Sequence, residues 1–383
     1  MDVLLYVFAL QSIRAEFGLS NAQAGWVGSV SLVASAIGGI AAGVAADRIG
    51  RRRTLIYTIL LYSLASGGTA TAGGLLDLCL WRALVGLGLG GEWSAGAVLV
   101  AESWPAEHRA RAIGFMQSGW ALGYMLAAGV TALVLPRFGW RVLFLVGVLP
   151  ALLTLFIRRR VREPEIWSAS SRAPLMTIFR PPLLRQTVLA TALAASVLFA
   201  YWGLFTWLPA FLAASPEEGG AGMSVVKSSG WVVAVQCGAL AGYWCFGFLA
   251  DWLGRRPTFV AYVIGAALVT PLYGYAPGWM GSSSGMGLLL LGPLVGFFGS
   301  GYFSLFGAML AELYPTAVRG AGQGFTYNFG RGLGALAPYA VGALADRFGF
   351  GAALAMNAGF FLVAAVLSFS LPETRRRRLE DVR

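Results

Sequence analysis

The stretch GVAADRIGRRR, residues 43–53, decides the fold of this chain. It ends one long apolar run and begins another, so two helices meet at a short loop rich in arginine. The pattern returns 204 residues later as GFLADWLGRR, residues 247–256. A second element, ESWPAEHR at 102–109, returns 210 residues later as ELYPTAVR at 312–319. Two elements that repeat at nearly one offset indicate an internal duplication.

The composition assigns both halves to a membrane. Of 383 residues, 57% are hydrophobic and 12% are charged, whereas soluble proteins carry roughly a quarter charged residues. This composition excludes a soluble globular domain, a disordered chain and a disulfide scaffold. The apolar runs are long and unbroken, unlike the alternating segments of about 10 residues in a membrane β-barrel. We therefore predict an all-α polytopic membrane protein, with spans of about 20 residues.

Twelve helices are predicted in two six-helix bundles. The first bundle covers 1–157, a polar linker covers 158–185, and the second bundle with a short basic tail covers 186–383. The predicted helices lie at 1–17, 22–46, 54–75, 77–101, 110–134, 141–157, 186–212, 228–250, 257–276, 285–311, 320–344 and 351–371. By the repeat register Asp2 matches Thr206, which lies inside predicted helix 7. We therefore expect helix 1 to be incomplete and Met1 to be an internal methionine.

The basic residues orient the chain. Most of them fall in loops on the side that holds the linker and both termini, which predicts that this side is cytoplasmic. The net charge of +11 is then explained by loop arginines in a multi-pass inner-membrane protein, with the bilayer rather than nucleic acid as partner. Three scattered cysteines and one histidine give no metal spacing, and no cofactor is expected. We also expect a monomer.

At this point the residues resemble the major facilitator superfamily. The loop at 43–53, with its copy at 247–256, is similar to its best-known signature, and Arg82-x-x-x-Gly86-x-Gly88 is similar to a second motif. The runs GGEW at 90–93, AESWP at 101–105 and YNFGR at 327–331 look like the branch of sialate and lactate proton symporters. The resemblance covers the whole chain. It implies alternating access between two six-helix bundles and proton-coupled uptake of a small organic acid.

Arg331 is the first candidate for the substrate site. It lies 12 residues into predicted helix 11, about 18 Å from its cytoplasmic end, and Tyr327 and Asn328 share its face. A guanidinium offers a carboxylate two parallel hydrogen bonds. The alternative is a structural ion pair with an acidic side chain of another helix. Gln117, the repeat partner of Tyr327, and Tyr124 on the same face of helix 5 are further candidates for substrate binding.

Asp2, Glu92 and Arg82 are the candidates for proton coupling. A charge at the bilayer centre costs at least about 2.5–3.5 kcal/mol, so a carboxyl group at that depth favours its neutral form and can exchange a proton near neutral pH. Arg82 would stabilise the charged form. Arg82 and Glu92 do not share a helix face, and a fixed ion pair of Arg82 with a carboxylate is the alternative. The residues do not decide between Asp2 and Glu92.

The repeated motifs predict a cytoplasmic gate. As the resemblance implies, acidic and basic residues at the helix ends clamp the inner side in the outward-open state. Anchoring by the positive-inside rule is the plainer alternative. The predicted gate residues are Asp47, Arg51, Arg52, Asp251, Arg255, Arg256, Glu102, Arg109, Glu312 and Arg319.

These features predict a secondary transporter that takes up a small organic acid with protons. A sugar or polyol carrier is the alternative, but a neutral substrate does not need a midplane cation. A drug exporter is disfavoured, because helix 5 reads Gly119-Trp-Ala-Leu-Gly123-Tyr without the proline typical of that group. A transporter-like receptor would need a long sensory extension. An enzyme is not expected, because no nucleophile, metal cluster or cofactor loop is recognisable.

Overall fold

The computed structural model describes residues 2–19, 21–168, 174–223, 225–281 and 284–375. The predicted basic tail beyond residue 375 lies outside these described residues. Within them the chain is helical, and the helices are joined by short turns. This follows from the long apolar runs, because a spanning segment must satisfy its backbone hydrogen bonds internally.

The helices of the first repeat come before a linker that contains short helical turns. They are α1 (Asp2–Phe17), α2 (Asn21–Ile49), α3 (Arg51–Thr69), α4 (Leu75–Ser103), α5 (Arg109–Val146) and α6 (Leu153–Arg160). The linker holds α7 (Glu165–Ser168) and a 3-10 turn at Leu175–Phe179.

The helices of the second repeat follow the linker. They are α8 (Leu183–Ala213), α9 (Val225–Trp252), α10 (Arg255–Met280), α11 (Ser284–Gly301), α12 (Phe303–Leu313), α13 (Arg319–Gly334), α14 (Ala337–Ala355) and α15 (Asn357–Ser368). Predicted helix 7 is α8, predicted helix 8 is α9 and predicted helix 9 is α10. Helix 1 covers 16 residues, whereas its repeat counterpart α8 covers 31.

Helices α5 and α14 each contain a tight turn, so each includes parts of two consecutive predicted helices. Gly139 lies inside α5 with φ 75°, and Gly349 lies inside α14 with φ 78°. Glycine adopts this left-handed conformation without the steric penalty of a Cβ atom. Each glycine therefore marks the reversal between the last two helices of its repeat, as predicted between helices 5 and 6 and between helices 11 and 12.

Predicted helices 10 and 11 each contain a short turn. Helix 10 consists of α11 and α12, which meet at Tyr302, and helix 11 consists of α13 and the first part of α14. The backbone keeps right-handed helical angles at both turns, with φ −63° and ψ −13° at Tyr302 and φ −78° and ψ −19° at Leu336. Pro338 has no N–H to donate to the carbonyl of Gly334, which explains the second turn. Residues 285–313 therefore form one stretch long enough to span the membrane.

Nine helical stretches of the described residues are long and apolar enough to cross a membrane. They correspond to predicted helices 2, 4 to 10 and 12. The described parts of helices 1, 3 and 11 are too short or too polar for that criterion.

The repeat reappears in the packing between the halves. Helix α2 of the first half packs along α13 of the second, and α5 of the first half packs along α9 of the second. The register matches α2 with α9 and α5 with α13, so the two seams are equivalent. We call them the α2/α13 seam and the α5/α9 seam.

Candidate substrate cleft and linker-side gate

Asp47 holds the start of α13 at the α2/α13 seam. Its carboxylate accepts hydrogen bonds from the backbone N–H groups of Gly320, at 2.9 Å, and Ala321, at 2.7 Å. It also pairs with Arg51 at 3.0 Å. The first N–H groups of a helix lack intrahelical acceptors and carry the positive end of the helix dipole. A carboxylate of the first half thus caps a helix of the second half.

Glu102 joins two buried arginines that belong to different halves. Its carboxylate lies 2.8 Å from Nε of Arg51 and 3.0 Å from Nη2 of the same guanidinium. It also accepts a bond of 2.6 Å from Arg319 of the second half. Bidentate arginine–carboxylate pairs are strong and geometrically specific. Glu102 therefore binds the halves together at the α2/α13 seam.

Asp251 repeats the role of Asp47 at the α5/α9 seam. It accepts hydrogen bonds from the backbone N–H groups of Ala110, at 3.3 Å, and Arg111, at 3.0 Å, at the start of α5. It pairs with Arg255 at 2.8 Å. A carboxylate of the second half thus caps a helix of the first half.

Glu312 repeats the role of Glu102. It lies 3.1 Å from Nη2 of Arg255 in its own half and 2.7 Å from Nη1 of Arg109 in the first half. All side chains of this cluster are nearly inaccessible to solvent. Four guanidinium groups and four carboxylates thus form a charge-balanced cluster. We call it the linker-side gate, and its members are Asp47, Arg51, Glu102, Arg109, Asp251, Arg255, Glu312 and Arg319.

Arg52 and Arg256, two further residues of the predicted gate, make different contacts. The backbone N–H of Arg52 donates to Glu163 at 3.1 Å, and that of Arg256 donates to Glu373 at 2.9 Å. Both arginines are the second residue of a helix that follows a glycine of positive φ, Gly50 or Gly254. They therefore attach the end of each repeat to the motif loop instead of joining the two halves.

The sequence reasoning missed Glu163 and Glu373. Both are glutamates beside a proline, and they are separated by 210 residues, the offset of the other repeated elements. That offset was the available signal. Each caps the first N–H groups of a helix, so each fixes a motif loop to its own half.

Above the gate, an aromatic stack crosses the cleft between the halves. The rings of Trp93 on α4 and Tyr327 on α13 are stacked, with centroids 3.6 Å apart. Nε1 of Trp93 donates to Gln117 at 2.9 Å, and the guanidinium of Arg331 lies 4.9 Å from the centroid of Tyr327. The structure therefore brings together three of the predicted substrate residues and adds Trp93, which was not predicted.

Arg331 has a polar partner but no acidic one among the described residues. Its Nη1 donates to Ser35 of the first half at 2.8 Å. Its Nε is buried, and within the described residues it has no hydrogen-bond partner. The guanidinium is half-buried, and no carboxylate of the described residues forms an ion pair with it. A cation in this situation is electrostatically favourable for an anion.

Asn328 and Tyr124 lie on either side of this stack. The amide of Asn328 is buried and donates to Ser94, at 2.9 Å, and to the carbonyl of Gly324, at 2.9 Å. Its Oδ1 has no partner among the described residues. Tyr124 is half-buried two turns beyond Gln117 and packs against core clusters of both halves. Asn328 thus fixes α13 to α4, and Tyr124 joins core clusters of the two halves.

The predicted proton-coupling residues separate into two places. Arg82 is 1% exposed and its guanidinium lies over the rings of Tyr6, at 5.2 Å, and Phe144, at 5.9 Å. Asp2 lies one helical turn before Tyr6 on α1, but its side chain is outside the described part of the structure. Glu92 is half-buried and lies on α4, directly before Trp93 in the chain. Arg82 therefore belongs to the bundle interior near α1, whereas Glu92 lies ten residues further along the same helix.

These features together define a class: a two-repeat helical membrane protein whose halves are joined on one side by buried ion pairs. The sequence profile of the Major Facilitator Superfamily matches residues 1–277 and 222–383. The chain belongs to this superfamily and is a multi-pass membrane protein.

Several relatives resemble the chain over nearly its whole length. A metabolite transport protein of Haemophilus influenzae is 35% identical over 99% of this chain and 94% of the relative. The cis,cis-muconate transport protein of Acinetobacter baylyi is 32% identical over 97% of this chain and 91% of the relative. A sialic acid transporter of Escherichia coli is 29% identical over 97% and 90%. The relatives are thus transporters of metabolites and organic acids.

The fold is shared with solved transporters. The structure of the proton:xylose symporter XylE superposes with a TM-score of 0.80 at 20% identity, covering 99% of this chain and 94% of that chain. The likeness confirms the predicted all-helical architecture of the superfamily.

Proposed function

We propose that this protein takes up a small organic acid together with protons, by alternating access across the inner membrane. The substrate carboxylate binds Arg331 in the cleft between 1–157 and 186–383. Tyr327 and Gln117 line the same place, and Asn328 holds the helix on which Arg331 stands. The protein acts as a monomer, with both termini in the cytoplasm.

The observation that carries the proposal is Arg331 with no carboxylate beside it in the described residues. A buried guanidinium is costly unless an anion satisfies it. Ser35 occupies one of its donors and leaves others for a ligand. The names of the organic-acid transporters among the relatives support the same reading. A sugar would give Arg331 no charge to pair with.

The linker-side gate supports alternating access. Since the eight charges are paired across both seams, this conformation is closed on the linker side. With that side in the cytoplasm, we assign this conformation to the state that receives substrate from the periplasm. Inward opening requires that Glu102 and Glu312 release the arginines of the opposite half. Substrate binding at Arg331 shifts the balance by closing the opposite side.

Proton coupling follows from charge balance in the cleft. Glu92 and Asp2 are the carboxyl groups that we propose to exchange protons, with Arg82 stabilising a charged form near α1. Protonation removes a negative charge, and the substrate carboxylate then supplies one to Arg331.

Counterflow in proteoliposomes tests the substrate class. Proteoliposomes that contain the purified protein are loaded with one unlabelled compound, and exchange is followed with its labelled form. The compounds tested are cis,cis-muconate, nicotinate, sialic acid and a neutral sugar. Exchange of acids but not of the sugar supports the proposal. Exchange of the sugar alone would make this chain a sugar carrier.

A pH gradient tests the coupling. An inward proton gradient should drive accumulation of the acid, whereas Glu92→Gln should abolish accumulation but keep counterflow, since exchange needs no net proton movement. Asp2→Asn provides the comparison that decides between the two carboxyl groups. Accumulation that is independent of the gradient in the parent protein would refute proton coupling.

A further inference from the structure

The internal repeat makes the two seams equivalent, but the linker packs over only the α2/α13 seam in the described residues. At the α2/α13 seam the linker turn at Leu175–Phe179 packs against α13, and Phe179 packs edge-on against Phe325 at 4.9 Å. The residue at the same place in the other seam is Phe115, which is 71% exposed. Among the described residues, none packs over Phe115 as Phe179 packs over Phe325.

The α5/α9 seam carries an open groove of about 830 Å³, larger than the groove of about 510 Å³ that the linker partly lines at the α2/α13 seam. Its walls come from the end of α4 and the start of α5 in the first half and from α9 in the second, and these helices are long and apolar enough to span the membrane. Because Phe115 and Phe248 of the groove are exposed apolar side chains on such helices, we expect the groove to face lipid. Its lining residues are Val100, Trp104, His108, Arg111, Ala112, Phe115, Met116, Trp244 and Phe248.

The groove is polar at one end and apolar at the other. His108 and Arg111 lie at the start of α5, on the linker side. Phe115 lies about 9 Å deeper than the start of that helix, and Trp244 lies about 12 Å from the end of α9. Phe248 and Trp244 are 57% and 44% exposed. A groove with one polar end and one apolar end matches a phospholipid, which has a polar headgroup and apolar acyl chains.

Arg111 supplies the charge that this ligand needs. Its guanidinium stacks 4.9 Å from the ring of Phe248, and its side chain is 41% exposed. Its one ion-pair partner in the described residues, Asp251, lies 3.6 Å away and already pairs with Arg255 at 2.8 Å. Arg111 thus has donors left for a phosphate, which guanidinium binds well. The matching residue at the other seam is Ala321.

We propose that the groove at the α5/α9 seam binds an anionic phospholipid, with its phosphate on Arg111 and an acyl chain along Phe115, Phe248 and Trp244. The bound lipid contacts both halves while the linker-side gate is closed, so it favours the closed gate. It does at this seam what the linker does at the other. The assignment to the cytoplasmic leaflet rests on the orientation proposed above, whereas the binding itself does not.

Site-directed fluorescence quenching tests the proposal in the full-length protein. In a background with Cys79, Cys237 and Cys245 replaced, Phe115→Cys carries an environment-sensitive fluorophore. Vesicles of phosphatidylcholine contain brominated phosphatidylglycerol or, in parallel, brominated phosphatidylcholine. Leu122→Cys is the matched position, because it lies two turns along the same face of α5, is 49% exposed and is outside the groove.

We expect phosphatidylglycerol to quench more than phosphatidylcholine at position 115 and equally at position 122. Arg111→Gln should lower the preference at position 115 about fivefold, the effect of one basic residue near a membrane surface, and Arg111→Lys should keep most of it. Arg159→Gln, which removes an exposed charge elsewhere on the linker side, should keep it in full. Equal quenching by both lipids at position 115, or a preference that survives Arg111→Gln, would overturn the proposal.

Discussion

The carboxylate of Glu102 in the first half lies 2.6 Å from the guanidinium of Arg319 in the second. This is a direct link between two bodies that must separate during transport. Glu312 and Arg109 form its counterpart at 2.7 Å with the halves exchanged. Because both pairs are buried, each gains from mutual attraction only while the halves stay together, and loss of one partner leaves the other as an uncompensated charge.

Glu102→Gln should therefore open the linker side. Breaking a buried pair by removing one partner costs about 3–5 kcal/mol, which shifts the closed-to-open balance at least roughly a hundredfold. Spin labels at Arg53 and Trp252, one in each half, should show a longer distance. Glu107→Gln is the control, because Glu107 is exposed and lies outside the gate. An unchanged distance with normal transport in Glu102→Gln would remove Glu102 from the gate.

Asp47→Asn removes the cap from the start of α13. The amide cannot accept two N–H bonds as a carboxylate does or pair with Arg51. We expect retained substrate binding, a large loss of transport and lower labelling of cysteines placed on the side opposite the linker. Asp251→Asn should give the same result through α5. If only one of the two changed labelling, the two seams would not be functionally equivalent.

A glycine pair tests how closely the seam must close. A Cβ atom at Gly43 would lie 2.3 Å from the carbonyl oxygen of Gly320, much closer than van der Waals contact allows. Gly43→Ala should therefore hold α2 away from α13 and slow transport. Gly28→Ala is the matched control on the same helix, since a Cβ atom there meets nothing within 4 Å among the described residues. Equal transport by both variants would show that this contact is not needed.

The sequence predicts which residues form the linker-side gate, but it does not predict which of them pair with each other. The repeated offsets locate Asp47, Glu102 and their copies, because both halves conserve the same charged loop pattern within one chain. They do not reveal that Glu102 bonds Arg319, since that depends on how the halves pack. Trp93 was missed for a similar reason: an aromatic residue in an apolar helix does not disclose which neighbour its ring faces.

Gln323 should set how readily the gate opens. It is fully buried one turn before Tyr327, and neither amide atom has a hydrogen-bond partner among the described residues. Such a group costs about 1–3 kcal/mol, and opening would hydrate it. Gln323→Leu should therefore favour the closed gate by roughly 5- to 100-fold and slow turnover at saturating substrate.

The repeat supplies the converse experiment for Gln323. Ile113 occupies the matching position in the first half and is also fully buried. Ile113→Gln should weaken the closed gate where Gln323→Leu strengthens it, and the double variant should restore part of the balance. Spin-label distances across the gate report each shift. Shifts of the same sign in both variants would contradict a role for the unpaired amide.

Trp93 should contribute through stacking more than through its N–H group. Stacked aromatic pairs are worth about 0.5–1.5 kcal/mol beyond area burial, so Trp93→Ala should weaken substrate binding by roughly 2- to 10-fold. Trp93→Phe keeps a ring against Tyr327 and loses only the bond to Gln117, so it should retain most of the affinity. Binding assays with labelled substrate, which do not depend on tryptophan fluorescence, measure the affinity of both variants. If Trp93→Phe lost as much as Trp93→Ala, the hydrogen bond would matter more than the stack.

Arg331 carries the proposed specificity, so its replacement is the most direct test. Truncating one member of a buried, hydrogen-bonded charge pair costs about 2–5 kcal/mol, and Arg331→Gln should raise the dissociation constant of an organic acid at least roughly 30-fold. Arg331→Lys keeps the charge but loses the planar pair of donors, so it should weaken binding less. Arg347→Gln, an exposed arginine outside the cleft, is the control. The loss should appear for anionic substrates only, because the affinity comes from charge pairing. If Arg331→Gln bound an acid like the parent while a neutral sugar was the better substrate of both, the cation would have no role in selection, and sugar transport would replace organic-acid transport as the function.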